Sequence, residues 1–245
     1  LGNHQFKVGA DYRRLAPIYN PRDYSQTGIF TSTTAILSGR ANTATTFAIK
    51  SSWPLFNNLS LYGQDTWRAT RNLTLTYGLR WDLSPPPGEA NGNLPYALTG
   101  VQSRATIALA TGGQRIYETT YNNFAPRIGI AYRTSQDNGR ELTIRGGFGV
   151  FYDLGNGQTA EAFTRYPFAT KIIGTPNLVY PLSPEQSALP SFNPPPPLTI
   201  NGFDPRLKLP YTLQWNTTLD YLLGSSQVFS ASYVGAAGRR LLRTQ

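Results

Sequence analysis

The sequence predicts an all-β chain: an incomplete antiparallel transmembrane β-barrel of about seven meandering strands, with short turns at one end and long loops at the other. Residues 72–84 place Leu73, Leu75, Tyr77, Leu79, Trp81 and Leu83 on one parity. Thr74, Thr76, Gly78, Arg80, Asp82 and Ser84 fall on the other. Successive strand side chains point to opposite faces, so this strand has an oily side and a wet side. It is about twice the length of a usual soluble strand. The connections between such stretches alternate short and long, as between tight periplasmic turns and large external loops. A compact soluble domain rarely holds a structureless loop of more than about 15 residues. Finally, Lys7, Asp11, Arg13, Arg80, Asp82, Arg127, Arg133, Glu141, Arg145 and Asp220 all sit off the apolar parity. An Arg or Lys facing mid-bilayer lipid costs roughly 2–4 kcal/mol, so this is the pattern that lipid contact selects.

The elements follow in order. Residues 3–15 read as a strand, with Phe6, Val8, Ala10 and Tyr12 opposed by Lys7, Gly9, Asp11 and Arg13. Residues 16–57, rich in Thr, Ser and Gly, read as long and irregular. Residues 58–69 read as a strand whose phase is broken, because Leu59 and Leu61 share parity with Asp65 and Trp67. A bulge near Gly63 is expected to reset it. Thr70-Arg71-Asn72 turns the chain into strand 72–84, and Pro85-Pro86-Pro87-Gly88 opens the loop 85–122. Residues 124–134 form a strand with Ile128, Ile130 and Tyr132 in phase. Ser135-Gln136-Asp137-Asn138-Gly139 is a short turn into strand 140–153, where Leu142, Ile144, Phe148, Val150 and Tyr152 share a parity. Residues 154–208 form the longest loop, with a stiff Pro194–Pro197 run. Strand 210–222 carries Tyr211, Leu213, Trp215, Leu219 and Tyr221, and Gly224-Ser225 turns it into strand 226–236 with Phe229, Ala231 and Tyr233. Tyr211 and Tyr221 lie ten residues apart. At about 3.4 Å per residue and a tilt near 40°, they bracket roughly 26 Å, the height of a barrel's apolar band.

Composition supports a wall more than a catalyst. Charged residues are 14% of the chain, low against about 25% in a soluble domain. Fifteen Tyr and twelve Phe accompany Thr, Ser and Asn at polar positions. The net charge of +9 fits Arg scattered over loops and the polar face, or attraction to an anionic partner such as lipopolysaccharide or an acidic solute. No Lys/Arg run or recognition motif points to nucleic acid. With no Cys and one His, metal sites of the N/S kind are excluded and no cofactor is expected. His4 falls at a strand start on the turn end, away from the external rim where a barrel hydrolase needs its pair. Gly146-Gly147-Phe148-Gly149 lies inside a strand and opens no helix, so it is not a phosphate loop. No apolar run reaches the roughly 18 residues of a spanning helix. The chain opens with neither Met nor a signal peptide, so it reads as processed or as a piece of something longer. Alternation alone also suits a β-sandwich or a soluble carbohydrate-binding domain, but these leave the strand lengths and loop sizes unexplained.

Tyr62-Gly63-Gln64-Asp65-Thr66-Trp67-Arg68, followed by Asn72-Leu73-Thr74-Leu75 and Gly78-Leu79-Arg80-Trp81-Asp82, resembles the barrel hairpin of TonB-dependent outer-membrane receptors of the Oar-like branch. Asn123-Phe124-Ala125-Pro126-Arg127-Ile128-Gly129 and Arg145-Gly146-Gly147-Phe148-Gly149-Val150-Phe151-Tyr152-Asp153 resemble the next strands of that branch. Asp204-Pro205, Leu209-Pro210-Tyr211, Gln214-Trp215-Asn216 and Tyr233-Val234-Gly235 with Gly238 resemble the hairpin after them. The resemblance implies a 22-stranded barrel with an internal plug, energised through TonB for uptake of a solute. Residues 1–245 would then be a partial barrel domain, an internal fragment of a longer receptor. The plug, the TonB box and a barrel-terminating aromatic at Gln245 are not in it. No residue is expected to be catalytic. Arg80, Asp82, Arg145 and Asp220 are the lumen-facing candidates, either gripping the plug and solvating the interior or lining a solute path. Membrane lipid and lipopolysaccharide would surround the outer face. A structural or adhesive barrel displaying its loops is the alternative.

Overall fold

The computed structural model describes residues 2–110, 112–134, 140–174, 178–192, 200–224 and 226–243. The turn Ser135–Gly139, the Pro194–Pro197 run, Ser225 and Gln245 lie outside the described residues.

Seven long strands form the wall: β1 His4–Leu15, β2 Pro54–Arg68, β3 Leu73–Leu83, β4 Phe124–Arg133, β5 Arg140–Tyr152, β6 Tyr211–Leu223 and β7 Gln227–Arg239. They pair antiparallel in chain order, and the two-residue strand Gly88–Glu89 adds to the top of β2. Among the described residues, β1 and β7 do not pair with each other, so the barrel is incomplete and the sheet has two edges. The expected strands are all present. β2 begins earlier than expected, at Pro54, and β7 runs on to Arg239. Proline is tolerated as the first residue of a strand, where no ladder donor is needed.

Register fixes the two faces. One row crosses all seven strands through Phe6, Asp65, Tyr77, Ile128, Phe148, Trp215 and Gly235. The next row crosses through Lys7, Gln64, Gly78, Arg127, Gly149, Gln214 and Ala236. Directly opposed residues share a face, so the apolar rows add up to one continuous apolar face. Among the described residues no second layer covers it: Val8 is 80% exposed, Phe229 73% and Ile128 60%. Arg14, Arg140 and Arg239 also fall on the apolar parity, opposite Asn57, Leu223 and Tyr211. All three stand at strand ends, where a guanidinium reaches the headgroup layer. Gly235 is required by its neighbour, because a Cβ there would stand 2.4 Å from the Trp215 indole.

The expected bulge near Gly63 is absent. Val8, Gly63 and Leu79 are in register, and pairing runs unbroken on both sides of them. Asp65 therefore sits on the apolar face, and its neighbours supply the reason. Its Oδ2 lies 2.7 Å from His4 Nδ1 and accepts the Tyr77 hydroxyl at 2.8 Å. A carboxylate only accepts, so Nδ1 carries the hydrogen. The His4 ring stacks on Phe6 and on Trp67, at 5.7 and 5.5 Å between centroids. These groups leave Asp65 only 4% exposed, and its parity is retained because two donors meet the charge at one oxygen, Oδ2. His4→Phe keeps a ring in the stack but removes a donor from an enclosed carboxylate. The expected result is a lower melting temperature in detergent than wild type, partly restored by adding Asp65→Leu, since no enclosed charge is then short of a donor and only the Tyr77 hydroxyl loses its acceptor. No restoration in the double variant would show that the pair is irrelevant.

The long connections are more ordered than their composition suggests. Residues 16–57, expected to be irregular, hold strands Tyr24–Ile29 and Thr43–Ile49 and the helix Thr33–Leu37, capped by Ser32 Oγ accepting from the Ala35 amide. Thr43–Ile49 pairs on one side with Tyr24–Ile29 and on the other with Ala169–Ile173 from the third connection. Its inward residues are Ala44, Thr46 and Ala48. Such small, mildly polar side chains give a weak alternation signal. Ile116 and Tyr117 of the second connection cluster with Ala162, Phe163 and Phe168 of the third, flanked by Phe203 and Leu207. Glu89 ties the first and second connections by accepting from the amides of Trp53, Asn91 and Asn93.

Burial pushes the Tyr117 hydroxyl up from 10.0 to about 12, against the opposing influence of Thr159. The neutral form is the one the fold favours. This cluster's contribution is therefore full below pH 10.0 and declines as pH rises toward about 12. Loop-specific proteolysis should accelerate across that window, and Tyr117→Phe should remove that part of the pH dependence.

Candidate functional site

The polar face carries the candidate site. On its upper part, near the long connections, Arg80 Nε donates to Asp82 Oδ1 at 2.8 Å. Ser60 Oγ donates to the same oxygen at 2.6 Å. Arg80 Nη2 stands 3.6 Å from Asp11 Oδ2, and Arg13 Nη2 stands 3.9 Å from it. Three strands thus share one network: β1 supplies Asp11 and Arg13, β2 Ser60, and β3 Arg80 and Asp82. Asp82 is buried, and Asn123 Nδ2 donates to its backbone carbonyl at 3.0 Å.

Toward the turn end, Arg145 Nη1 donates to Asp220 Oδ2 at 2.8 Å and Ser230 Oγ donates to Oδ1 at 2.7 Å. The Arg145 side chain is 60% exposed. Arg80 is opposite Ala125 and Arg145 opposite Ala131 on the intervening strand β4. Six residues of strand separate those positions, about 20 Å. The four candidates therefore make two separate pairs and not one continuous ladder. Between them lie Arg127, whose guanidinium sits 4.4 Å from the Phe151 ring centroid, and the paired Gly129 and Gly147, the latter flanked by the Asn216 amide. Gly149 is needed here, since a Cβ would stand 2.8 Å from the Phe151 ring.

Sequence reasoning placed all four candidates on the polar parity. It missed Ser60 and Ser230 as the hydroxyls that complete each carboxylate, and it missed the His4–Asp65–Tyr77 cluster on the opposite face. The shared parity of Asp65 with Leu59, Leu61 and Trp67 was the signal for the latter. Among the described residues, no group of three or more His, Cys, Asp and Glu side chains is placed to hold a metal ion.

An open meander of long strands, apolar and uncovered on one face and charged on the other, with turns short at one end and long at the other, is a segment of a membrane-spanning β-barrel wall. The comparison with protein families agrees: the chain belongs to the outer membrane beta barrel domain family, whose model matches residues 1–245. It is thereby placed in the bacterial outer membrane, with the apolar face toward lipid. No curated protein and no solved structure matches it.

Proposed function

We propose that residues 1–245 are a partial barrel domain of a longer TonB-dependent receptor of the Oar-like branch, which takes up a solute across the outer membrane. The observation that carries this reading is the charged, hydrogen-bonded polar face behind an uncovered apolar one. Such a face is built for water, a plug or a passing solute, not for a protein core. Arg80 with Asp82 and Arg145 with Asp220 line the lumen in this reading. Arg80 with the buried Asp82 braces the wall, and the exposed Arg145 meets the plug or an anionic solute. The plug and the TonB-contacting segment belong to the parent chain. The quoted motifs of the β2–β3, β4–β5 and β6–β7 hairpins support the branch. The packed external connections form a recognition surface held on a rigid scaffold. No side chain is assigned a catalytic role.

The test uses three strains: parental, deleted for the whole receptor, and deleted for TonB. Solutes depleted from the medium by the parental strain are compared across the set. A solute whose uptake fails in both deletions supports the reading. Normal uptake of all solutes in both, with loss of surface attachment in the receptor deletion alone, favours the adhesive barrel.

A further inference from the structure

The external end of β7 carries two adjacent arginines, Arg239 and Arg240. Arg239 stands on the lipid-facing parity, opposite Tyr211. The chain then turns through Arg240, whose backbone is left-handed at φ 53. That turn sets the Arg240 guanidinium 5.3 Å from the centroid of the Tyr211 ring. Tyr211 in turn packs on Tyr152, 5.5 Å away. Arg239 Nη1 donates to the Gly238 carbonyl at 3.1 Å. Among the described residues, neither arginine has a carboxylate within ion-pair distance, whereas Arg80 and Arg145 each do.

We propose that Arg239 and Arg240, steadied by Tyr211, bind a phosphate group of lipopolysaccharide in the outer leaflet. β7 runs from the short-turn end to the long-loop end, so Arg239 emerges where the outer leaflet's headgroups lie. The lipid at that level in a bacterial outer membrane is lipopolysaccharide, and its phosphates match the guanidinium fork. An arginine on the lipid-facing side of a strand end extends its charge into the headgroup layer, where the phosphate anions lie. The aromatic ring beneath Arg240 holds its planar group in a fixed orientation, which lowers the ordering cost of binding. This inference rests on the outer-membrane placement and is independent of the uptake reading.

The test measures lipid retained by the full-length protein extracted from outer membranes in mild detergent, by native mass spectrometry. Wild type should retain bisphosphoryl lipid A, and R239Q/R240Q should retain roughly 30-fold less, the product of two arginine contributions at an anionic surface. R145Q, on the polar face, should retain as much as wild type. Equal retention by R239Q/R240Q and wild type overturns the proposal. A second arm needs no variant: wild type is offered lipid A stripped of its phosphates, and phosphatidylglycerol. Weak binding of both supports a lipopolysaccharide phosphate site. Undiminished binding of the stripped lipid rules out phosphate recognition. Displacement of lipid A by phosphatidylglycerol at equal concentration rules out lipopolysaccharide as the source.

Discussion

Ile128→Arg is expected to destabilise the protein in lipid vesicles by about 2–4 kcal/mol, as measured by urea unfolding. Ile128 sits on the apolar face four residues from Phe124 and four from Tyr132, which bracket it on the same strand. Four residues of tilted strand are about 10 Å, so Ile128 falls near the middle of the apolar band. A charge there has no headgroup within reach. Tyr132→Arg, at the short-turn end, should cost only about 0–1 kcal/mol, because the guanidinium can extend into the interface. Asn216→Arg tests the opposite face. Asn216 is exposed, and its row neighbours Gly147 and Val234 are uncharged, so the change should stay within about 0.5 kcal/mol. The profile with depth is the informative part. A protein core would penalise an arginine at Ile128 as well, but it would not grade the penalty by distance from the aromatic belts. A flat profile along β4 would mean that the apolar face is covered by protein and not by hydrocarbon.

The wall was legible in the sequence because its signal is redundant. Each long strand repeats the same choice between apolar and polar residues five or six times, and neighbouring strands repeat it in register. Single exceptions such as Gly63 and Gly146 do not erase it. The connections were not legible, for a physical reason visible in Thr43–Ile49. There the buried side is Ala44, Thr46 and Ala48, and the half-buried side includes Thr43, Thr45, Phe47 and Ile49. Size and not polarity separates these faces, and a hydrophobic pattern cannot see size. Asp65 shows the opposite failure. Its charge on the apolar parity raises the expectation of a bulge, but phase follows from backbone pairing, and a charge is tolerated where donors reach it. Those donors, His4 and Tyr77, come from the strands on either side, 61 and 12 residues away in the chain. The polar-face pairs were half legible. Arg80 and Asp82 are two residues apart on one strand, so their contact could be read locally. Arg145 and Asp220 are 75 residues apart and meet only through the β5–β6 register.

That difference predicts unequal roles for the two pairs. Arg80→Ala is expected to cost about 3–5 kcal/mol, because it leaves the buried Asp82 carboxylate with the Ser60 hydroxyl as its side-chain donor. The loss also frees Asp11, which Arg80 approaches from the neighbouring strand. Arg80→Ala/Asp82→Ala should recover much of it, since no unpaired charge remains. Arg145→Ala should cost only about 0–1 kcal/mol, because Arg145 is largely in water and Asp220 keeps the Ser230 hydroxyl. Urea unfolding of the three variants in vesicles measures both quantities. If Arg145 meets solute or plug, as the uptake reading has it, its alanine variant will be nearly wild type in stability and impaired in transport. In that reading Arg80→Ala would instead lose stability and transport together, because Arg80 joins β1, β2 and β3 in one network. Equal stability losses for Arg80→Ala and Arg145→Ala would mean that the enclosure of Asp82 has no energetic consequence, and the division between a bracing pair and a working pair would have to be abandoned.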